Sequence, residues 1–339
     1  MTEAAAELPP PGRIGHDAHP RRALGFSLAI GGALLFAVNG SVSKITLESG
    51  VDSLSLVLLR SAGAAACLLL LVLVTDRSRL RLHRAELPLL LVYGLVGIAM
   101  VQWLYFVAIA RLPVGVALLL EFTAPVLVAL WARFVQKQQF GRALWLALAL
   151  ALGGLALVAQ IWDGLSLDTV GVLAGFGAAL SLATYYIAGK HALVTRDTIS
   201  LAFWAFLVSA LFWSVAKPWW TIPWDSLSAS VQLPGALDGT AVSGWALITW
   251  VVVLGTVAPF LMVIGGLSHL AATEAGIAGM IEPVLAGAVA WVWLDETLTV
   301  IQVIGSLVVI TGIVVAQRAT ASTGSAASSA SSASSASAG

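Results

Sequence analysis

The sequence predicts an all-α polytopic membrane protein with ten transmembrane helices in two inverted five-helix repeats. Three observations point there: an extreme apolar composition, ten separate apolar runs, and a self-similarity between the halves of the chain. Of 339 residues, 59% are hydrophobic and 10% charged, with a mean hydropathy of +0.96. A soluble domain carries roughly 45–50% and about 25%, and no soluble core hides this much apolar surface. Seventeen basic residues balance seventeen acidic ones, which argues against a nucleic-acid binder with its basic stripe. The one cysteine, Cys67, allows neither an intramolecular disulfide nor a thiolate metal site. No cofactor or metal is expected.

Taken in order, residues 1–23 hold Pro9, Pro10, Pro11, Gly12, Arg13, Pro20, Arg21 and Arg22. They predict a disordered arm, too long and too polar for the start of a signal peptide. A spanning helix needs about 20 mainly apolar residues. Runs near 25–44, 54–75, 87–110, 113–133 and 142–161 make a first repeat over 24–162. Runs near 169–189, 198–217, 245–267, 271–293 and 298–317 make a second over 163–318. Pro113 marks one short turn, because proline favours a helix's first turn. Residues 218–244 form the one long loop, and its Trp219, Trp220 and Trp224 suit a membrane interface. Trp162, Trp213, Trp245 and Trp293 fall at the same level, as belt or packing. Residues 319–339 are almost wholly Ser and Ala; they have little to bury and predict a disordered tail.

Lysine and arginine set the orientation. With the N-terminus in the cytoplasm, the inner segments hold Arg13, Arg21, Arg22, Arg77, Arg79, Arg81, Arg84, Arg133, Lys137, Arg142, Lys190, Arg196 and Arg318, thirteen in all. The outer segments hold three, Lys44, Arg111 and Lys217, and Arg60 lies inside a helix. This predicts a multi-pass plasma (inner) membrane protein with both termini cytoplasmic and 218–244 external.

At an offset of 146, Gly25, Gly31, Ala33, Leu34, Ala37 and Lys44 match Gly171, Gly177, Ala179, Leu180, Ala183 and Lys190. At 158, Leu112, Ala117, Pro125, Val126, Leu127, Ala132 and Gly154 match Leu270, Ala275, Pro283, Val284, Leu285, Ala290 and Gly312. The paired lysines and mid-helix prolines are hard to obtain by chance from an apolar composition. Five spans per repeat is an odd number, so the halves must be inverted. Inverted repeats are a transporter architecture, with the substrate near the midplane where they meet.

The segment 279–299, Gly-Met-Ile-Glu-Pro-Val-Leu-Ala-Gly-Ala-Val-Ala-Trp-Val-Trp-Leu-Asp-Glu-Thr-Leu-Thr, resembles the second-repeat signature of the drug/metabolite transporter superfamily, EamA type. Leu120-Glu-Phe-Thr-Ala-Pro-Val-Leu is similar to the fourth helix of its threonine/homoserine exporter branch. Arg60, in Leu-Leu-Arg-Ser-Ala-Gly, fits the family's second helix. The resemblance spans roughly 25–317. It implies ten helices and a secondary transporter that exports amino acids or related metabolites, with broad drug efflux or metabolite exchange as the alternative. The sequence departs from the family at 133–140, where Arg-Phe-Val-Gln-Lys-Gln-Gln-Phe replaces a Gly-Glu turn; only the second copy, Asp295-Glu296, keeps it. There Asp295-Glu296-Thr297 reads as a polar cap on the tenth helix.

Arg60, Glu121 and Glu282 are the charged residues set well inside spans. A charge there costs roughly 2.5–3.5 kcal/mol on insertion scales, so such residues face the bundle interior and usually have a partner. Arg60 and Glu121 fall at nearly one depth, about 10–12 Å in, and an Arg60–Glu121 pair is expected. Two readings stay open for it: a static tie between helices, or a gate whose carboxylate takes up a coupling proton. Pro125 and Pro283 each remove a helix hydrogen bond, freeing the carbonyls of Glu121 and Gly279. Asn39, Gln102, Trp103, Glu121, Thr123, Tyr185, Trp204 and Glu282 are the expected substrate contacts. A mixed polar and aromatic set of this kind suits a small organic molecule better than an ion. Each residue alone is more often helix glue.

An enzyme would want a histidine cluster or an acidic metal pair at a helix end. His16, His19, His83, His191 and His269 are scattered singly. There is neither a filter loop as in channels nor a nucleotide-binding glycine loop. The expected partners are a small-molecule substrate and the lipid bilayer; oligomeric state is left open.

Overall fold

The computed structural model describes residues 18–112, 114–161, 168–293 and 298–336. Among them, nine helices are long and apolar enough to cross a membrane. They are α1 (Ala18–Glu48), α2 (Ser53–Thr75), α3 (Arg84–Ile109), α4 (Val116–Phe134), α6 (Thr169–Ala192), α7 (Thr198–Ala216), α8 (Gly244–His269), α9 (Ala272–Trp293) and α10 (Val300–Ala336), the last apolar as far as Arg318. The remaining apolar helix, α5 (Arg142–Val158), has 17 residues, the short end of the spanning range of about 17–25.

Helix starts follow local chemistry. Asp52, Asp168 and Asp197 accept hydrogen bonds from the orphan backbone amides that open α2, α6 and α7. After α1 the chain reverses through Gly50 at φ +98°, a left-handed conformation that costs glycine nothing.

Helix pairs pack α1 on α8, α3 on α6, α2 on α7 and α5 on α10. Small residues set the closeness of approach. A Cβ at Gly25 would lie 2.8 Å from Leu270 Cγ, and one at Gly171 would lie 2.8 Å from Leu112 Cγ. Gly154 abuts Gly305 and Val309, whereas Gly312 abuts Ala147 and Ala151. The end of α5 therefore meets the start of α10 and the reverse holds too, so this pair runs antiparallel. Ion pairs gather at the two ends of the bundle. Arg22–Glu274 and Arg196–Glu86 (each 2.6 Å) and Arg79–Asp197 (3.5 Å) lie at the face where α1 begins. Lys217–Asp52 (3.1 Å) and Arg111–Asp168 (3.6 Å) lie at the face where α1 ends.

Four helices are irregular. α4 breaks at Phe122–Thr123 and α9 at Met280–Ile281, each just before its proline. α3 and α8 contain π-helical segments at Tyr93–Met100 and Val253–Val257.

One expectation is corrected. The all-α reading misses a small antiparallel hairpin, β1 (Ser230–Gln232) with β2 (Ala241–Ser243), in the 218–244 loop. Ile222, Leu227 and Leu233 of this loop are buried against Val42, Ile45 and Leu56, so the segment folds back over the bundle end. Residues 1–17 of the expected arm and 337–339 of the tail lie outside the described residues; the chain is helical from Ala18 and as far as Ala336. Alanine has the best helix propensity and α10 supplies the nucleus, so extending it needs no new initiation. Arg13, Pro113, Trp162 and Asp295–Thr297 lie outside the described residues. Trp213 is buried in the core, whereas Trp220 is 83% exposed.

Candidate transport cavity

A cavity of about 550 Å³ lies between the two halves of the chain. Its rim is at the face where α1 ends, formed by the exposed Lys44 with Ile109, Val158 and Gln302. Its walls carry Asn39, Arg60, Gln102, Tyr105, Glu121 and Glu282. The floor is aromatic. The Phe260 ring meets Tyr185 (6.0 Å), Phe206 (4.9 Å) and Phe36 (5.0 Å) edge-on, and Tyr185 stacks on Tyr93 (5.4 Å). Edge-to-face rings at such spacings pack densely, and all but Phe36 are buried. The cavity thus opens to one face and is shut off from the other.

The helix breaks place the acidic groups. Glu121 is the last residue before the α4 break, and Glu282 the first after the α9 break. Among the described residues neither carboxylate has a hydrogen-bond partner, and both line the cavity. Thr123 is not a cavity residue, because its hydroxyl turns back to Leu120 O (2.6 Å) to satisfy the same break.

The expected Arg60–Glu121 pair is corrected. Arg60 Nε donates to Thr256 Oγ1 at 3.1 Å and Nη2 to Gly255 O at 3.4 Å. The Thr256 hydroxyl in turn donates to Val251 O at 2.7 Å. A π turn disturbs the regular carbonyl ladder, and this one offers Arg60 an acceptor within its reach. Arg60, Glu121 and Glu282 all line the one cavity.

Of the other expected contacts, Asn39, Gln102 and Tyr185 line the cavity and Pro283 sits beside Glu282. Pro125 packs against Gly276 behind the wall. Trp103 and Trp204 do not reach the cavity. Trp103 is 37% exposed on the outer surface, tilted against Trp213. Trp204 lies beneath the Arg196 guanidinium, 5.9 Å away. Helical phase decides these cases: Trp103 is one residue, about 100°, from the inward-facing Gln102. Thr256 and the floor residue Phe260 were missed. A lone threonine or phenylalanine in an apolar run carries no signal.

The EamA-like transporter family model matches the chain twice, over residues 23–160 and 169–317. This protein is a member of that family, a membrane transporter and not an enzyme. The "Threonine/homoserine exporter RhtA" of Escherichia coli K12 is 28% identical over 229 residues, 67% of this chain and 70% of that protein. The "Uncharacterized transporter YdfC" of Bacillus subtilis is 26% identical over 231 residues, 67% and 70% of the two chains. A solved crystal structure at 18% identity superposes with a TM-score of 0.70, covering 87% of this chain and 96% of its own. It has the same fold.

Proposed function

We propose that this protein is a secondary transporter working by alternating access, exporting amino acids or related small metabolites across the plasma membrane. In this reading all ten apolar helices cross the bilayer as two inverted five-helix repeats. The matched contacts of Gly25 with Leu270 and of Gly171 with Leu112 support it, as does the antiparallel packing of α5 on α10. The excess of basic residues at the face where α1 begins supports cytoplasmic termini, and in this reading the cavity opens outward.

The observation that carries the reading is the cavity's charge set. One guanidinium and two carboxylates in a largely apolar chamber offer both signs to a zwitterion, and the carboxylates are able to exchange a proton with water there. The substrates in the RhtA name are such zwitterions. A cavity of about 550 Å³ has room for much more than threonine, which favours larger amphipathic solutes as the second reading.

Uptake into inverted vesicles, over a panel of amino acids and amphipathic cations, tests this with and without a proton gradient. Gradient-stimulated uptake of an amino acid supports the first reading, and uptake of the cations alone the second. Uptake of neither class overturns both.

A further inference from the structure

The two halves make the same contacts at two helix pairs and different ones at two others. α1 meets α8 as α6 meets α3. Gly255 has no room for a Cβ against Asn39, and Gly97 has little against Tyr185. Under the offsets of 146 and 158 these are equivalent contacts. The halves differ where α6 meets α8 and where α1 meets α3. On the closed side, Tyr185 packs on Phe260, and Lys190 Nζ donates to Leu267 O (2.9 Å) and Ser268 O (3.4 Å), capping the end of α8. The equivalents of Lys190, Leu267 and Ser268 are Lys44, Ile109 and Ala110; those of Tyr185 and Phe260 are Asn39 and Gln102.

These equivalents are unmade on the open side. Lys44 stands exposed at the cavity rim, which Ile109 also lines, and has no partner among the described residues. Asn39 Oδ1 and Gln102 Oε1 are buried with no hydrogen bond. A buried orphan acceptor is costly, and an ammonium favours the carbonyl end of a helix. Both groups are therefore set to gain from closure.

We propose that the second gate closes when Lys44 caps the carbonyl end of α3 at Ile109 and Ala110 and the side-chain amides of Asn39 and Gln102 meet. The gates are then chemically unequal, one aromatic and one amide-based, each latched by its own lysine. This rests on the alternating-access reading above.

The test uses full-length protein in membranes with Cys67→Ser and a short thiol cross-linker on two engineered pairs. Gly189→Cys/Leu267→Cys reports the closed gate, where a Cβ at position 189 lies 3.1 Å from Leu267 Cδ2, and the equivalent Ser43→Cys/Ile109→Cys the proposed one; both pairs keep Lys44 and Lys190. Adding Lys190→Met to the second pair removes the closed gate's latch and should raise its cross-linking on the order of tenfold. Adding Lys44→Met to the first pair should raise that yield likewise, while Lys44→Arg, which keeps a donor, should not. The proposal is overturned if the 189/267 gate opens but 43/109 cross-links no better than a lipid-facing control pair. If the 189/267 yield never falls and the cavity is never labelled from that face, alternating access itself fails, and this gate with it.

Discussion

Arg60 Nε donates to Thr256 Oγ1 at 3.1 Å, joining α2 to the π segment of α8 across 196 residues of chain. The guanidinium expected to neutralise a carboxylate instead holds a backbone irregularity, which leaves Glu121 without a partner among the described residues. Removing this clamp should loosen α8. Arg60→Gln should lower stability by about 1.5–3 kcal/mol and Thr256→Val by about 1 kcal/mol, with the double variant costing less than the sum because the two share one contact. Glu121→Gln should shift stability by under about 0.5 kcal/mol. Unfolding in detergent measures all four; a Glu121→Gln loss as large as that of Arg60→Gln would restore the ion-pair reading.

Glu121→Gln and Glu282→Gln test proton coupling. The amide keeps the shape of the carboxylate and cannot titrate. Gradient-driven transport should be lost in at least one variant while substrate exchange without a gradient persists. Full gradient-driven transport in the double variant would leave facilitated diffusion.

Asp52 gives a pH prediction outside the membrane spans. Partial burial pushes its carboxyl up, but hydrogen bonds from Ser55 and Lys217 outweigh this and hold it below its usual 3.8. A lowered folded value means the stabilisation is fully present above about 3.8 and is lost as pH falls through the folded value. Asp52→Ala should cost about 0.5–2 kcal/mol at neutral pH, the worth of an N-cap. The gap to wild type should narrow below pH 3.8, and a constant gap across an acid titration would contradict this.

Orientation is checked at Ser228, which is exposed in the loop at the face where α1 ends. In a Cys67→Ser background, Ser228→Cys should react with an impermeant thiol reagent on intact cells. Reaction only after permeabilisation would reverse the topology.

Helix positions were legible because an apolar run of sufficient length has few other uses. The breaks before Pro125 and Pro283 were legible because proline lacks an N–H wherever it stands. Glu121 and Glu282 were legible as inward-facing because lipid penalises a charge. Trp103 and Trp204 were misplaced because composition does not fix helical phase, and Thr123 because its hydroxyl is taken up by Leu120 O at the helix break. The Arg60 partner was missed because matching depth along two helices says nothing about an acceptor that a π turn exposes on a third.

The sequence by itself determined the membrane class, the apolar helices, the doubled pattern and the short list of charged groups within spans. Each follows from local chemistry: hydropathy, backbone hydrogen bonding and the cost of a buried charge. Only the tertiary structure decided which charges meet, which side of the cavity is shut, and that Lys190 is engaged while Lys44 is free of any described partner. Those outcomes depend on how helices hundreds of residues apart in the chain tilt and turn against one another, and a repeat that is symmetric in sequence adopts an asymmetric conformation.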